Sequence, residues 1–257
     1  KETRVPFLQY PLGGGWEGYF IFDRLVADGH PWLRPFQQET PGYVYNMKLL
    51  ERDKNLQKSA TFGSSTGAEW LADNGIKPFF DKAIKVDWKW LYGETLHGNS
   101  WFVTTDPAIK TVADLKGKPI AIGLKTQTHW GGFAYTLLKE GYGITEENTR
   151  IEFLGPAKGI DSLIDGRVVA ALVQMNVDAS MREVIPGSIL TKIAASGKPW
   201  HYLDIPKDVV EKVNKKTGSP FIPLDFKPNT LPNQPQRLQW FAHVGVRAQH
   251  PGFPEEV

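Results

Sequence analysis

Short apolar runs alternate with segments of helical periodicity along most of the chain. Strands are predicted at residues 5–10, 33–38, 59–62, 119–123 and 151–154, and the run at 119–123 is predicted to be buried. Most of these runs end in polar or glycine residues, and a segment with apolar residues three or four positions apart follows. Such alternation predicts an α/β fold in which a mostly parallel sheet is connected by right-handed crossovers.

The pattern changes after the third strand. Residues 88–95 and 101–105 are predicted to be extended, with a turn or hinge at 97–99 between them. Further predictions for the second half are a strand at 168–173, a helix at 177–184, an extended segment at 189–195, a Pro- and Asn-rich loop at 219–236 and a final strand at 238–247. The hinge region at 97–105 and the final strand at 238–247 together predict two lobes. One lobe contains residues 1–102 and 226–257, and the other contains residues 103–225.

The stretch 118–143 shows best how a strand passes into a helix. A polar turn joins the apolar run at 119–123 to the helical pattern at 130–139. The first N–H groups of a helix have no intrahelical partner, so this turn is a candidate anion site beyond the carboxyl edge of the sheet. Thr126 or Thr128 acting only as a helix cap is the alternative.

Comparable polar or glycine-rich bends follow several other strands, and we expect them to converge on one cleft between the lobes. The candidate ligand-binding residues in these bends are Gly14, Gly15, Trp16, Thr40, Ser64, Ser65, Thr126, Gln127, Thr128, His129, Gln174 and Asn176. Trp101 and Trp240 are candidates for the wall of the cleft, because aromatic rings are frequent in ligand pockets.

Charge and composition exclude several classes of function. The chain of 257 residues has a net charge of +2 and no basic run, which disfavours nucleic acid and anionic membranes as partners. It contains no cysteine, as suits an oxidising compartment. It begins at Lys1 without an initiator Met, so we expect that a signal segment has been removed. It ends in a pattern typical of a helix start, so we expect that a C-terminal helical segment is missing.

Four segments resemble the solute-binding proteins of TRAP transporters, specifically the TAXI family. They are LGGG at 12–15, ETPG followed by YNMKLL at 39–50, ADLKGKPIAIG at 113–123 and IDGRVVAA at 164–171. The third segment is shared with many binding proteins of this fold, including those of ABC transporters, which are the alternative assignment.

The resemblance implies a fold of the periplasmic binding protein type II-like class, with two Rossmann-like α/β lobes joined by hinge strands around a ligand cleft. It implies a periplasmic receptor that captures a small organic acid, such as a carboxylate, amino acid or aromatic acid, and delivers it to TRAP membrane permease subunits. By the same resemblance we expect a monomer without enzymatic activity and without a cofactor.

The sequence also bears on two other kinds of site, a nucleophilic serine and a metal centre. Gly63-Ser64-Ser65-Thr66-Gly67 fits the G-x-S-x-G pattern of a nucleophile elbow, so a serine hydrolase using Ser65 is an alternative. The six histidines are scattered without metal-binding spacing, and no metal site is expected. His129 is expected to donate to an anion with a charge that depends on pH, and Lys125 is the nearest cation. An anionic ligand is expected to be held by N–H groups and hydroxyls rather than by arginine.

Overall fold

A computed structural model describes residues 2–10, 19–178 and 184–255. The chain divides into two compact units. Unit 1 contains Lys1–Glu94, Thr126–Thr128 and Gly245–Val257, and unit 2 contains Thr95–Lys125 and His129–Val244. Each unit combines helices with a sheet, which confirms the predicted α/β class. No helix in the described ranges is long and apolar enough to cross a membrane.

Unit 1 is built on three parallel strands. Its elements are β1 (Thr3–Leu8), α1 (Tyr19–Gly29), β2 (Leu33–Gln38), α2 (Tyr43–Arg52), a 3-10 turn (Leu56–Lys58), β3 (Thr61–Ser65), α3 (Thr66–Asp73) and the start of β4 (Lys89–Thr104). Strand β1 lies between β2 and β3 and is parallel to both. The end of the last strand of the chain, from Gly245 to Gln249, pairs antiparallel with β3.

The sequence of unit 1 explains these elements. Phe7 and Leu8 are neighbours in β1 and both are buried, as expected for a strand covered on both faces. In α2 the buried apolar residues Val44, Met47 and Leu50 recur every three positions, which places them on one helix face. Both elements therefore contribute apolar residues to the core of unit 1.

Unit 2 contains a mixed sheet. Its elements are the rest of β4, a 3-10 turn (Val112–Leu115), β5 (Ile120–Ile122), α4 (Ala134–Thr136) with π-helical turns before and after it (Thr128–Phe133 and Leu137–Gly141), β6 (Ile151–Phe153), α5 (Pro156–Ile164), β7 (Ala170–Asp178), β8 (Val184–Pro186), α6 (Ser188–Ala194), β9 (His201–Tyr202), α7 (Lys207–Thr217), β10 (Ile222–Phe226) and the first part of β11 (Leu238–Gln249). Strand β5 is parallel to β6 and β7. Strand β4 is antiparallel to β7, and β10 is antiparallel to β11.

Pairing overrides local turn propensity in two places. The predicted turn at 97–99 belongs to the continuous strand β4, where His97, Gly98 and Asn99 pair with Val177, Asn176 and Met175 of β7. The helix predicted at 177–184 is wrong at both ends, because β7 continues to Asp178 and β8 begins at Val184. The long antiparallel partner strand supplies the hydrogen bonds that make these segments extended.

Two further predictions are corrected in the second half. The segment predicted to be extended at 189–195 lies mostly in helix α6, because Ile189, Leu190 and Ile193 share one buried helix face. The loop predicted at 219–236 contains β10, which pairs with β11 along its whole length. Antiparallel strands therefore make the sheet mixed rather than mostly parallel.

Candidate functional site

The predicted ligand-binding residues fall into three groups. Gly14, Gly15 and Trp16 lie outside the described residues. Unit 1 contains Thr40, Ser64, Ser65, Thr126, Gln127 and Thr128. Unit 2 contains Trp101, His129, Gln174, Asn176 and Trp240.

In unit 1, polar side chains collect where the parallel strands end. Leu8 of β1 is level with Gln38 of β2 and with Phe62 of β3, so the residues that follow these positions share the carboxyl edge of the sheet. Gln9 and Ser64 belong to this edge and are fully buried. The carboxyl edge is the place where open parallel sheets bind ligands.

Thr40 ties two strand exits together. Its buried hydroxyl donates a short hydrogen bond to the backbone carbonyl of Gln9 and accepts one from the N–H of Gly42 at 3.2 Å. Both bonds are made within the protein, so Thr40 orders the backbone at the start of α2.

Ser65 caps helix α3. Its fully buried hydroxyl accepts a hydrogen bond from the N–H of Ala68 at 3.1 Å, and its backbone has an ordinary extended conformation with φ of −157° and ψ of 160°. A nucleophile elbow instead presents an exposed serine on a strained turn. The geometry of Ser65 therefore favours the capped helix start over the serine hydrolase.

Three buried polar atoms at the carboxyl edge have no hydrogen-bond partner in the described part of the chain. They are Oε1 of Gln9, Oδ1 of Asn46 and Oγ of Ser64. Buried polar atoms are paired in most native structures, so a group of unpaired atoms indicates a place where a ligand or water binds. Beside them, the N–H groups of Thr66 and Gly67 open helix α3, where the helix dipole favours negative charge.

Gln9 and Asn46 were missed as candidates from the sequence. The amide nitrogen of Asn46 donates to the carbonyls of Leu8 and Gln9 at 3.3 and 2.8 Å, which fixes α2 against the end of β1. The signal for Gln9 is a polar residue directly after the apolar run of β1. Asn46 lies in the YNMKLL segment, where helical spacing gave no reason to separate it from a surface asparagine.

Thr126 contacts the start of helix α2, and this places it in unit 1 rather than in the second lobe as predicted. Its carbonyl accepts a hydrogen bond from the N–H of Val44 at 3.2 Å, and its hydroxyl donates to the carbonyl of Pro41 at 3.0 Å. Gly42 makes this approach possible, since a Cβ there would lie 2.6 Å from the Thr126 carbonyl oxygen. The neighbouring Gln127 and Thr128 are buried.

In unit 2, Gln174 and Asn176 lie on one face of the sheet with Ser100. Ser100 of β4 is directly opposite Gln174 of β7, and Asn176 is two residues further along the same strand. Opposite residues of an antiparallel pair point to the same face, as do residues two apart. The hydroxyl of Ser100 is buried and has no hydrogen-bond partner among the described residues. These three residues form a polar stripe of the kind predicted for a ligand contact.

The two predicted wall residues lie in the core of unit 2. Trp101 is fully buried, with its ring 5.4 Å from that of Phe241 between centroids. Trp240 is also fully buried, and its ring lies 5.5 Å from that of Tyr202. Both contacts are edge-on aromatic packing of the type found in protein cores.

His129 is a buried neutral histidine. Its ring lies 3.7 Å from that of His243 and 5.5 Å from that of Phe133 between centroids. Burial lowers the pKa of His129 to about 3, so the imidazole stays uncharged near neutral pH. The expected pH-dependent charge at this position is therefore corrected.

Lys125 is bound at the surface of unit 2. Its ammonium lies 3.5 Å from a carboxylate oxygen of Glu146 and 4.4 Å from the centre of the Phe153 ring. In the described ranges, no three His, Cys, Asp or Glu side chains are grouped so that they could hold a metal ion.

Solved structures of periplasmic binding proteins share the fold. The chain aligns over its whole length with 79% of the periplasmic binding protein BugD, at a TM-score of 0.57 and 11% identity. It aligns over 99% of its length with 80% of MatC from Rhodopseudomonas palustris with bound malate, at a TM-score of 0.55 and 12% identity. These likenesses confirm the predicted fold class.

The chain spans a smaller part of some other relatives. It covers 56% of the periplasmic aliphatic sulphonate binding protein SsuA from Escherichia coli, which itself matches 79% of the chain at a TM-score of 0.47 and 15% identity. No sequence among curated proteins matches the chain. The model of the NMT1-like family matches residues 36–257, which is most of the sequence. By this match the chain belongs to the NMT1-like family.

Proposed function

We propose that this protein is an extracytoplasmic solute-binding receptor that captures a small organic acid and delivers it to a membrane permease. The observation that carries the proposal is the set of unpaired buried polar atoms of Gln9, Asn46 and Ser64 at the carboxyl edge of unit 1. Two structural neighbours of the same fold are described as a malate complex and an adipate complex.

The chemistry of this edge selects the ligand class. The hydroxyl of Ser64 and the N–H groups of Thr66 and Gly67 are donors for a carboxylate oxygen. The side-chain oxygens of Gln9 and Asn46 are acceptors. Because donors and acceptors occur together, the best ligand is an organic acid that also carries a hydroxyl or ammonium group.

The transporter is proposed to be of the TRAP type, with this protein as its TAXI receptor. The resemblance at 12–15 and 39–50 supports this assignment, and an ABC permease is the alternative. In either case the protein is proposed to bind its ligand in the periplasm as a monomer and without chemical turnover.

A screen of hydroxy acids, amino acids, dicarboxylates and aromatic acids by thermal shift, followed by calorimetry of the best ligand, tests the proposal. A ligand raises the melting temperature as its concentration rises. We expect Ser64→Ala to weaken the best ligand about tenfold through loss of one charge-assisted hydrogen bond. Ser59→Ala, on the exposed surface of unit 1, is the matched control and is expected to leave the affinity unchanged.

Two results would contradict the proposal. One is a best ligand whose affinity is the same in the wild-type protein and in Ser64→Ala. The other is consumption of that ligand by the wild-type protein, since a receptor returns its ligand unaltered.

A further inference from the structure

A largely apolar cavity lies in unit 1, between the parallel sheet and helix α1. Its volume is about 240 Å³, and it is open to solvent. Its apolar wall is formed by Val5, Phe22, Val26, Leu33, Leu91 and Phe253. Val5 and Pro35 are directly opposite each other in β1 and β2, and both line the cavity. Phe22 and Val26 belong to α1, so the cavity lies between the sheet and this helix.

The cavity contains a buried arginine. Arg247 is 5% exposed, and its guanidinium carbon lies 3.4 Å from the centre of the Phe7 ring. Its Nε donates to the hydroxyl of Thr61 at 3.3 Å. In the described ranges no carboxylate lies within ion-pair distance of Arg247, and its two terminal nitrogens have no hydrogen-bond partner.

The carboxylate of Asp23 interacts electrostatically with Arg247, but its hydrogen bond is made with Gln37. Arg247 and Asp23 attract each other, but the pKa of Asp23 is raised, because burial outweighs this attraction and the hydrogen bond from Gln37. One carboxylate oxygen of Asp23 accepts that bond at 2.5 Å, and Asp23 is absent from the cavity wall. A buried cation without a close counter-charge is unfavourable, and an anion in the cavity would compensate it.

A second potential donor, Tyr92, belongs to the wall of the same cavity. Its buried hydroxyl has no hydrogen-bond partner among the described residues. Its ring lies 5.6 Å from that of Phe22 between centroids, which fixes the phenol against α1. The guanidinium and the phenol together give a donor set for one carboxylate in an otherwise apolar pocket.

We infer that this cavity is a binding site for a monocarboxylate with an apolar tail, separate from the site proposed at the carboxyl edge. Arg247 and Tyr92 hold the carboxylate, and Val26, Leu33 and Phe253 contact the tail. A dry cavity of about 150 Å³ accepts benzene, so about 240 Å³ accommodates a ligand of roughly ten non-hydrogen atoms. Octanoate and phenylacetate have this size.

Titration calorimetry with octanoate tests the inference, and 1-octanol is the uncharged ligand of matched size. We expect octanoate to bind at least tenfold more tightly than octanol. Arg247→Met is expected to weaken octanoate by about ten- to a hundredfold, and Tyr92→Phe by about three- to tenfold. Arg237→Met, which removes an exposed arginine of unit 2, is the control for charge and is expected to have no effect.

Two further variants keep the test decisive. Val26→Trp fills the cavity without changing either polar group and is expected to abolish binding, which covers the case that Arg247→Met does not fold. Ser64→Ala, at the carboxyl edge, is expected to leave octanoate affinity unchanged, so that binding at the other site is recognised. Octanol binding as tightly as octanoate, undetectable octanoate binding by the wild-type protein, or full octanoate affinity in Val26→Trp would each overturn the inference.

Discussion

Replacing His129 by phenylalanine is expected to remove part of the acid sensitivity of the protein. Burial lowers the pKa of His129 to about 3, whereas an unfolded histidine titrates near 6.5. Below pH 6.5 the unfolded chain therefore binds a proton that the folded chain excludes, and the free energy of unfolding falls as the pH falls toward 3. Between pH 7 and pH 5 this loss is about 2 kcal/mol for the wild-type protein.

Urea unfolding at pH 7, 6 and 5, followed by tryptophan fluorescence, measures the difference. Phenylalanine keeps a ring against His243 and Phe133, and the loss between pH 7 and pH 5 should be about 2 kcal/mol smaller in the variant. Glu69, whose pKa burial raises to about 7, titrates in the same range with the opposite sign, but it does so in both proteins. His30→Phe, at an exposed position, is the control. Equal losses in wild type and His129→Phe would refute the reasoning.

Two further predictions concern the backbone at the carboxyl edge of unit 1. Gly42→Ala should lower the free energy of unfolding by about 3 kcal/mol, because φ is 131° and the new Cβ would meet the Thr126 carbonyl. Gly117→Ala is the control and should lower it by about 1 kcal/mol, because φ is 79° but the space around the new Cβ is open. Equal costs in urea unfolding would contradict the close approach. Ser65→Ala should lower the free energy of unfolding by about 1 kcal/mol through loss of the cap to Ala68. A fluorophosphonate should not label Ser65 of the wild-type protein, and labelling would support the serine hydrolase instead.

The alternation of apolar runs and helical periodicity was sufficient to predict the α/β fold class. Strand β2 has the bounds predicted for it, residues 33–38, because Pro31 precedes it and the turn residues Pro41 and Gly42 follow. The predictions failed where a distant partner determined the conformation. Residues 97–99 have strong turn propensity, yet they are extended because β7 pairs with them. Helix α6 has β-branched residues that favour a strand in isolation, yet its apolar face is buried as a helix.

The site residues show the same division. Residue type and position after a strand made Ser64, Thr40 and Gln174 candidates. They could not separate a hydroxyl that caps a helix, as in Ser65, from one that is buried without a partner, as in Ser64. Neither could they find Gln9, since its unpaired oxygen follows from the packing of α2 and β3 around the end of β1.

By itself the sequence determined the α/β class and several of the strands, because hydrophobic periodicity and stop residues are local properties of the chain. Only the tertiary structure decided which polar atoms are paired and which are buried without a partner. It brings Thr126 to the start of α2, encloses His129 so that it stays neutral, and buries Arg247 without a close counter-charge. Burial and partnership depend on residues far apart in the chain, and no local pattern records them.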